Sequence, residues 1–168
     1  EELGLRVDDI GVVIADTEEC PYAPISAGSM TVPSVGPAVR AAAADAKRQF
    51  LELAASLLGV PADRLRTGEG AIWDIANPHE RVSFREIADR LGNFMVIGKG
   101  ARGPNPRGRK IRTFGVQFAE VEVDVETGEV TVVRVVGAHE CGRVLNAKTL
   151  GSQIEGGIIQ GVGFGLTE

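Results

Sequence analysis

The glycine-rich segment at the end of the chain places the strongest constraint on the fold. Residues 151–168 read GSQIEGGIIQGVGFGLTE, with glycines at every fourth position from Gly157 through Gly161 to Gly165. In a helix, residues four apart lie on one face, so these glycines would form a ridge without side chains. Each helical glycine costs roughly 0.5–1 kcal/mol relative to alanine, so the ridge indicates that another backbone or a flat ligand lies close to it.

Tight helix packing is the simplest interpretation of this ridge. Small residues at this spacing also occur in membrane helix dimers, but Gln153, Glu155 and Gln160 interrupt a segment that is too short to span a bilayer. No other run predicts a membrane span or a secretory signal. We therefore expect a helix that packs inside a protein or beside a ligand.

Length and composition predict one domain of a longer protein. The 168 residues carry a net charge of −5, which argues against wholesale nucleic-acid binding. Cys20 and Cys141 are not in a CxxC arrangement, so neither a disulfide framework nor a zinc site is indicated and a reducing compartment is expected. Because the chain begins with Glu1 in what reads as the end of an element, we expect 1–168 to be a single domain within a longer chain.

Apolar patterns predict an α+β fold. A helix capped by Ser34 carries an apolar stripe from Val35 to Leu57, with Pro37 in its first turn, and ends at Gly59. Alternating valines predict a β-hairpin over 114–138 with its turn at 126–129. The remaining predicted elements are strands over Ile10–Ala15, Gly70–Ile75 and Asn93–Ile97, and a short helix from the Ser83–Glu86 capping box to Leu91. The hairpin and further strands should pack with the long amphipathic helix and the glycine-rich C-terminal helix.

Two segments have the composition of a ligand site. The loop Ala27–Thr31 combines Gly28, which permits close backbone approach, with the hydroxyls of Ser29 and Thr31 just before the long helix. Such a loop can hold phosphate or oxo groups through N–H and O–H donors. The amide of Gln153 can do the same near the start of the last helix.

Two other patterns leave alternatives open. His139 and Cys141 lie two apart on a predicted strand, so a metal pair or a Cys–His nucleophile is conceivable, but packed core residues are the more common case. The basic segment KGARGPNPRGRKIR, residues 99–112, is similar to a nucleic-acid-binding arm. It lacks interleaved aromatic residues, which favours a surface loop or a segment facing a partner domain or an anionic substrate.

Ordered sequence blocks resemble the molybdenum-binding subunit of the xanthine dehydrogenase and aldehyde oxidase family. The blocks are GVQFAEVEVDVETGEV at 115–130, GAHECGRVLN at 137–146 and QIEGGIIQGVG at 153–163. Asp16-Thr17, Ala27–Thr31 and the GPAV segment at 36–39 precede them in the family's order. The resemblance covers most of the chain, and Pro24–Thr31 is most similar to bacterial aldehyde oxidoreductases.

The resemblance implies a fragment of the second molybdopterin-binding region of a molybdenum hydroxylase. Such enzymes bind molybdopterin, often as the cytosine dinucleotide, and oxidise aldehydes or N-heterocycles with oxygen from water. Electrons leave through iron–sulfur clusters and FAD on partner domains or subunits. By position, Gly28, Ser29, Met30 and Thr31 match the loop beside the metal centre and the pterin, and Gln153 matches a glutamine of the cofactor shell. Many relatives carry a larger polar or aromatic residue at Met30.

No residue of this chain matches the family's catalytic base. That base is a glutamate in a Gly-Glu motif farther toward the C-terminus, and neither Glu155 nor Glu168 stands in such a motif. We therefore expect no catalytic residue and no metal ligand in 1–168, and no activity from this chain alone. A cofactor-free scaffold or assembly domain of the same fold is the alternative. The expected location is cytoplasmic, or periplasmic for a full-length enzyme.

Overall fold

Backbone contacts divide the chain into two units in the computed structural model, and each unit is described by itself. The N-terminal unit spans Glu1–Pro104 and the C-terminal unit spans Asn105–Glu168. The structure describes residues 1–105, 107–108, 110 and 112–168. Three residues of the basic segment, Pro106, Arg109 and Ile111, therefore lie outside the described residues. The expectation of one domain over 1–168 stays a prediction.

The long helix α1 spans Thr31–Leu58 in the N-terminal unit. Its end was predicted correctly, because Gly59 adopts the left-handed conformation (φ 68°) and donates its N–H to the Ala55 carbonyl. Its start was predicted wrongly. The helix begins three residues before Ser34, whose hydroxyl donates instead to the Met30 carbonyl at 2.5 Å. Pro37 consequently lies inside the helix and not in its first turn.

A three-stranded antiparallel sheet packs beside α1. Strands β1 (Leu65–Gly68), β2 (Ala71–Asp74) and β3 (Arg81–Ser83) are joined in sequence order, with Leu65 opposite Asp74 and Ile72 opposite Val82. Only β2 was expected from the sequence. Helix α2 (Phe84–Leu91) follows, and its predicted capping box is confirmed by reciprocal hydrogen bonds between Ser83 and Glu86.

The core of the N-terminal unit lies between α1, α2 and this sheet. Its buried apolar side chains are Ala54, Leu65, Ile72, Val82 and Ile87. At its edge, Phe50 of α1 and Phe84 of α2 meet edge to face with ring centroids 4.8 Å apart. Asp74 is also buried, and Arg64 pairs with its carboxylate. This core fixes the direction of α1 and hence the position of the loop before it.

Two predicted strands of the N-terminal unit do not form. Residues Ile10–Ala15 are irregular and exposed, with Ile14 at 80% exposure, and they pair with no strand of the described chain. Residues Asn93–Ile97 also pair with no described strand. There the Ile97 carbonyl accepts a hydrogen bond from the Gln49 side chain of α1 at 2.9 Å. A run of β-branched or apolar residues was therefore not sufficient to make a strand.

The C-terminal unit contains the predicted β-hairpin. Strands β4 (Phe114–Val123) and β5 (Val130–Glu140) pair antiparallel, with a register shift between Glu120 and Val121. In the turn, the Asp124 carboxylate accepts the N–H groups of Glu126 and Thr127, and Gly128 takes a positive φ of 76°. These N–H donors lower the pKa of Asp124, because they stabilise its charged form.

The glycine-rich helix α3 spans Ala147–Leu166 and follows the hairpin. Asn146 caps it by accepting the Thr149 N–H at 3.0 Å. The helix packs on β5, where Ile158 lies over Gly137. Helices and antiparallel sheets together confirm the α+β prediction. Across the described residues, no helix is long and apolar enough to cross a membrane.

Candidate functional site

The loop Ala27–Thr31 leads directly into α1 and has an unusual backbone. Gly28 (φ 60°) and Ser29 (φ 57°) both lie in the left-handed region, and Met30 returns to the right-handed region as the residue before the helix. A positive φ is uncommon for a residue other than glycine. Residues held in sparsely populated conformations are concentrated at ligand-binding sites. The loop is therefore a shaped turn, as its composition predicted.

Hydrogen-bond donors surround this turn. The hydroxyls of Ser26 and Thr31 are hydrogen-bonded to each other across the loop. The Met30 side chain does not cap α1, and because Pro33 has no N–H, Thr31 and Val32 carry the first-turn N–H groups that have no carbonyl four residues earlier within the helix. The helix dipole adds partial positive charge at the same end. The loop is exposed and a Cβ at Gly28 would meet no heavy atom within 4 Å, so an anionic group has room to approach.

Gln153 lies in the other unit, in the second turn of α3. Its side chain is exposed and, at a spacing of four, it continues the row formed by Gly157, Gly161 and Gly165. The structure thus brings Gly28, Ser29, Met30 and Thr31 together in the N-terminal unit and places Gln153 separately in the C-terminal unit. Their assignment to one cofactor stays a prediction.

The glycine ridge on α3 is open within the described chain. A Cβ built on Gly157, Gly161 or Gly165 would have no heavy atom within 4 Å outside the helix itself. Gly161 and Gly165 border a groove of about 300 Å³ between α3 and the hairpin, lined by apolar side chains that include Val132, Val135 and Leu166. No described residue therefore requires these glycines, and the ridge remains free to receive another backbone or a ligand.

His139 packs against two glycines of the hairpin, in line with the more common of the two interpretations of its sequence position. Its imidazole lies across Gly115 on the opposite strand and Gly137 on its own strand, where added Cβ atoms would come within 2.7 Å of Nδ1 and 3.3 Å of Nε2. The ring thus fills the space that two glycines leave. Cys141 is exposed beyond the strand end. Within the described residues, no three His, Cys, Asp or Glu side chains are grouped to hold a metal ion.

A segment that sequence reasoning missed runs along α1 toward the loop. Residues 97–102, called the strap below, follow the helix in the opposite direction. The Asp45 carboxylate accepts the Lys99 N–H at 3.1 Å, and Arg102 Nε donates to the Pro33 carbonyl at 2.9 Å. A hydrogen bond from Arg48, followed in importance by the Lys99 N–H, lowers the pKa of Asp45. The signal in the sequence was the pair Gly98 and Gly100, opposite the alanines of α1.

Comparison with known proteins identifies the family. The molybdopterin cofactor-binding domain family matches residues 1–168. The chain belongs to this family. The xanthine dehydrogenase molybdenum-binding subunit of Escherichia coli O157:H7 is 28% identical over 100% of this chain and 23% of its own length. Subunit gamma of the 6-hydroxypseudooxynicotine dehydrogenase complex of Paenarthrobacter nicotinovorans is 29% identical over 100% of this chain and 22% of its own length.

A solved structure supports the same assignment. The reconstituted CO dehydrogenase from Oligotropha carboxidovorans matches 93% of this chain and 20% of its own chain, with a TM-score of 0.76 and 25% identity. The expected membership of the xanthine dehydrogenase and aldehyde oxidase family and the expected molybdopterin-binding fold are therefore confirmed. The chain spans less than a quarter of the length of these relatives.

Proposed function

We propose that this domain holds part of the molybdopterin cofactor in a molybdenum hydroxylase. The observation that carries the proposal is the family match over residues 1–168. The cofactor would supply the chemistry of the enzyme, which is hydroxylation of an aldehyde or an N-heterocycle with oxygen derived from water. Several relatives are subunits of dehydrogenase enzymes by name, which supports the oxidoreductase class.

The residues of the loop fit an anionic cofactor. Gly28 (φ 60°) and Ser29 (φ 57°) turn the chain directly before α1, whose first N–H groups have no carbonyl four residues earlier within the helix. Successive amides in such turns form concave anion sites. The hydroxyls of Ser29 and Thr31 add O–H donors, and Met30 lies beside them with about half of its surface exposed (49%). N–H and O–H donors at the start of a helix are suited to phosphate and oxo groups.

Gln153 would contribute from the C-terminal unit. Its carboxamide can donate and accept at once, which suits a ligand that carries both kinds of group. The row of glycines that continues from it leaves a flat surface on which a ring system can lie. Catalytic proton transfer is assigned to no residue of 1–168.

Partner subunits and compartment belong to the same proposal. Electrons would leave through iron–sulfur clusters and FAD carried by other domains or subunits of a complex. The substrate would be a small aldehyde or heterocycle. The reducing environment suggested by two unpaired cysteines supports a cytoplasmic location.

The test is molybdenum content and turnover of the full-length subunit with its partners. We expect Gln153→Ala to lower molybdenum per protein about twofold or more, since a hydrogen bond to a charged ligand contributes about 1.5–3 kcal/mol. Glu155→Ala is the matched control, because it lies on the opposite face of α3 and should leave molybdenum content unchanged.

Turnover of N-heterocycles in ¹⁸O-labelled water identifies the reaction, because an aldehyde exchanges its carbonyl oxygen with water without an enzyme. Label in the product, together with molybdenum loss in the Gln153 variant, is the expected result. A full-length protein purified without molybdenum from a host that makes the cofactor would instead favour the scaffold alternative. Wild-type molybdenum content and turnover in Gln153→Ala would remove that residue from the site.

A further inference from the structure

The strap lies against α1 at backbone distance. A Cβ on Gly98 would overlap the Ala42 carbonyl oxygen, and a Cβ on Gly100 would overlap the Ala42 nitrogen. On the helix side the surface is bare, because Ala38, Ala42 and Ala46 carry only methyl groups. Glycines facing alanines thus allow an extended chain to run along a helix without intervening side chains. This contact would not survive a larger residue on either surface.

Polar contacts fix the register of the strap. At one end, the Gln49 side chain donates to the Ile97 carbonyl at 2.9 Å, and Asp45 accepts the Lys99 N–H. At the other end, Arg102 reaches Pro33 in the first turn of α1. The strap therefore contacts α1 from the middle of the helix to its first turn. The loop Ala27–Thr31 leads into α1 at that first turn.

The Pro33 carbonyl has a specific need for an outside donor. In an α-helix this carbonyl would accept the N–H of the residue four positions later, which is Pro37 and has no N–H. A proline inside a helix also crowds the carbonyl of residue i−4, which turns it away from the ladder. Arg102 Nε donates to this same carbonyl at 2.9 Å. The arginine thus takes the place of the missing helical hydrogen bond.

We infer that Arg102 is a positioning residue for the cofactor loop. By binding the carbonyl for which Pro37 provides no N–H four residues later, it ties the strap to the first turn of α1 and holds the adjacent loop, in which Gly28 and Ser29 are left-handed. The part of this inference that concerns the cofactor rests on the proposed function of the loop. The clamp, meaning the hydrogen bond from Arg102 to the Pro33 carbonyl, does not, because neither of its two groups belongs to the cofactor loop or requires a ligand.

A double-mutant cycle on the full-length subunit, prepared without cofactor, tests the clamp. Hydrogen exchange of the peptide covering residues 27–34 is the measurement. We expect Arg102→Ala to speed exchange about fivefold, as loss of a charge-assisted hydrogen bond would. Pro37→Ala supplies an N–H for the Pro33 carbonyl, so Arg102→Ala in that background should change exchange less than about twofold. Arg85→Ala, an exposed arginine on α2, is the control and should have no effect.

The outcomes separate the clamp from the function. Unchanged exchange in Arg102→Ala, or an equal effect with and without Pro37, would overturn the inference. In protein prepared with cofactor, Arg102→Ala should also lower molybdenum content about twofold while exchange in α2 stays unchanged. If exchange responds as expected but molybdenum content does not, the clamp stands and the loop's role in cofactor binding falls.

Discussion

Both units combine helices with antiparallel strands, but they are stabilised differently. The N-terminal unit buries five apolar side chains almost completely, including Leu65 and Ile72. In the described part of the C-terminal unit no side chain is buried to that degree, and Phe118 (69%) and Ile159 (71%) are mostly exposed. A two-stranded hairpin is only marginally stable by itself. The N-terminal unit is therefore expected to hold its fold alone, whereas the C-terminal unit depends on contacts outside itself.

Matched isoleucine substitutions should show this difference most strongly. Ile72→Ala in the first unit should lower its free energy of unfolding by about 3 kcal/mol, because the site is fully buried and cannot collapse easily. Ile158→Ala in the second unit should cost only about 1 kcal/mol, since that side chain is half-buried. Hydrogen exchange of β2 and of β5 amides would measure the two values. Equal costs would show that the C-terminal unit has a core of its own.

A substitution in the glycine ridge should raise stability, whereas the isoleucine substitutions lower it. Gly161→Ala should stabilise α3 by up to about 1 kcal/mol in the 168-residue chain, because alanine favours the helix and no described atom would clash with its methyl group. In the full-length protein the same change should lower molybdenum content if a ligand or another backbone lies on the ridge. Helix stability by circular dichroism and metal analysis are the two measurements. Stabilisation with full molybdenum content would mean that nothing lies on this face.

Two carboxylates, the half-buried Asp45 and the exposed Asp124, provide the smallest effect, and here the units should behave alike. Asp45 and Asp124 both have a pKa below the ordinary value of 3.8, because hydrogen bonds stabilise their charged forms. Since the pKa falls on folding, the contribution to stability is present above the ordinary value and is lost as pH falls through the lowered value. Carboxyl titration by NMR should place both midpoints below 3.8. A midpoint at or above it would contradict the hydrogen bonds described for that residue.

Local signals in the sequence predicted the elements that depend on neighbours along the chain. Gly59 at the end of α1, the capping box of α2 and the turn at Gly128 were all foreseen, because each depends on a few adjacent residues. The register shift in the hairpin and the short strands β1 and β3 were missed. Strands of three or four residues are too short for the alternation of apolar and polar side chains to be recognised in the sequence.

Contacts between distant segments could not be predicted in the same way. The run Ile10–Ala15 has strand composition, but pairing needs a partner strand, which the described chain does not provide. The strap depends on Gly98 meeting Ala42 and on Arg102 meeting Pro33, both separated by more than fifty residues. For the candidate site, the loop was found from its composition and the family resemblance. The hydrogen bond from Arg102 to the Pro33 carbonyl was not predicted, because Pro33 lies in α1 and Arg102 lies beyond α2 in the sequence.

The molybdenum-to-protein ratio of the full-length subunit carrying Gly28→Val tests the central claim most directly. Valine is strongly disfavoured at φ 60°, so the turn must change while α1, which is held by the core, remains. If the loop binds the cofactor, the ratio should fall to less than about half of the wild-type value, since repositioning its donors would lose at least one hydrogen bond to the ligand. A wild-type ratio in a protein with an intact α1 would show that residues 28–31 do not hold the cofactor.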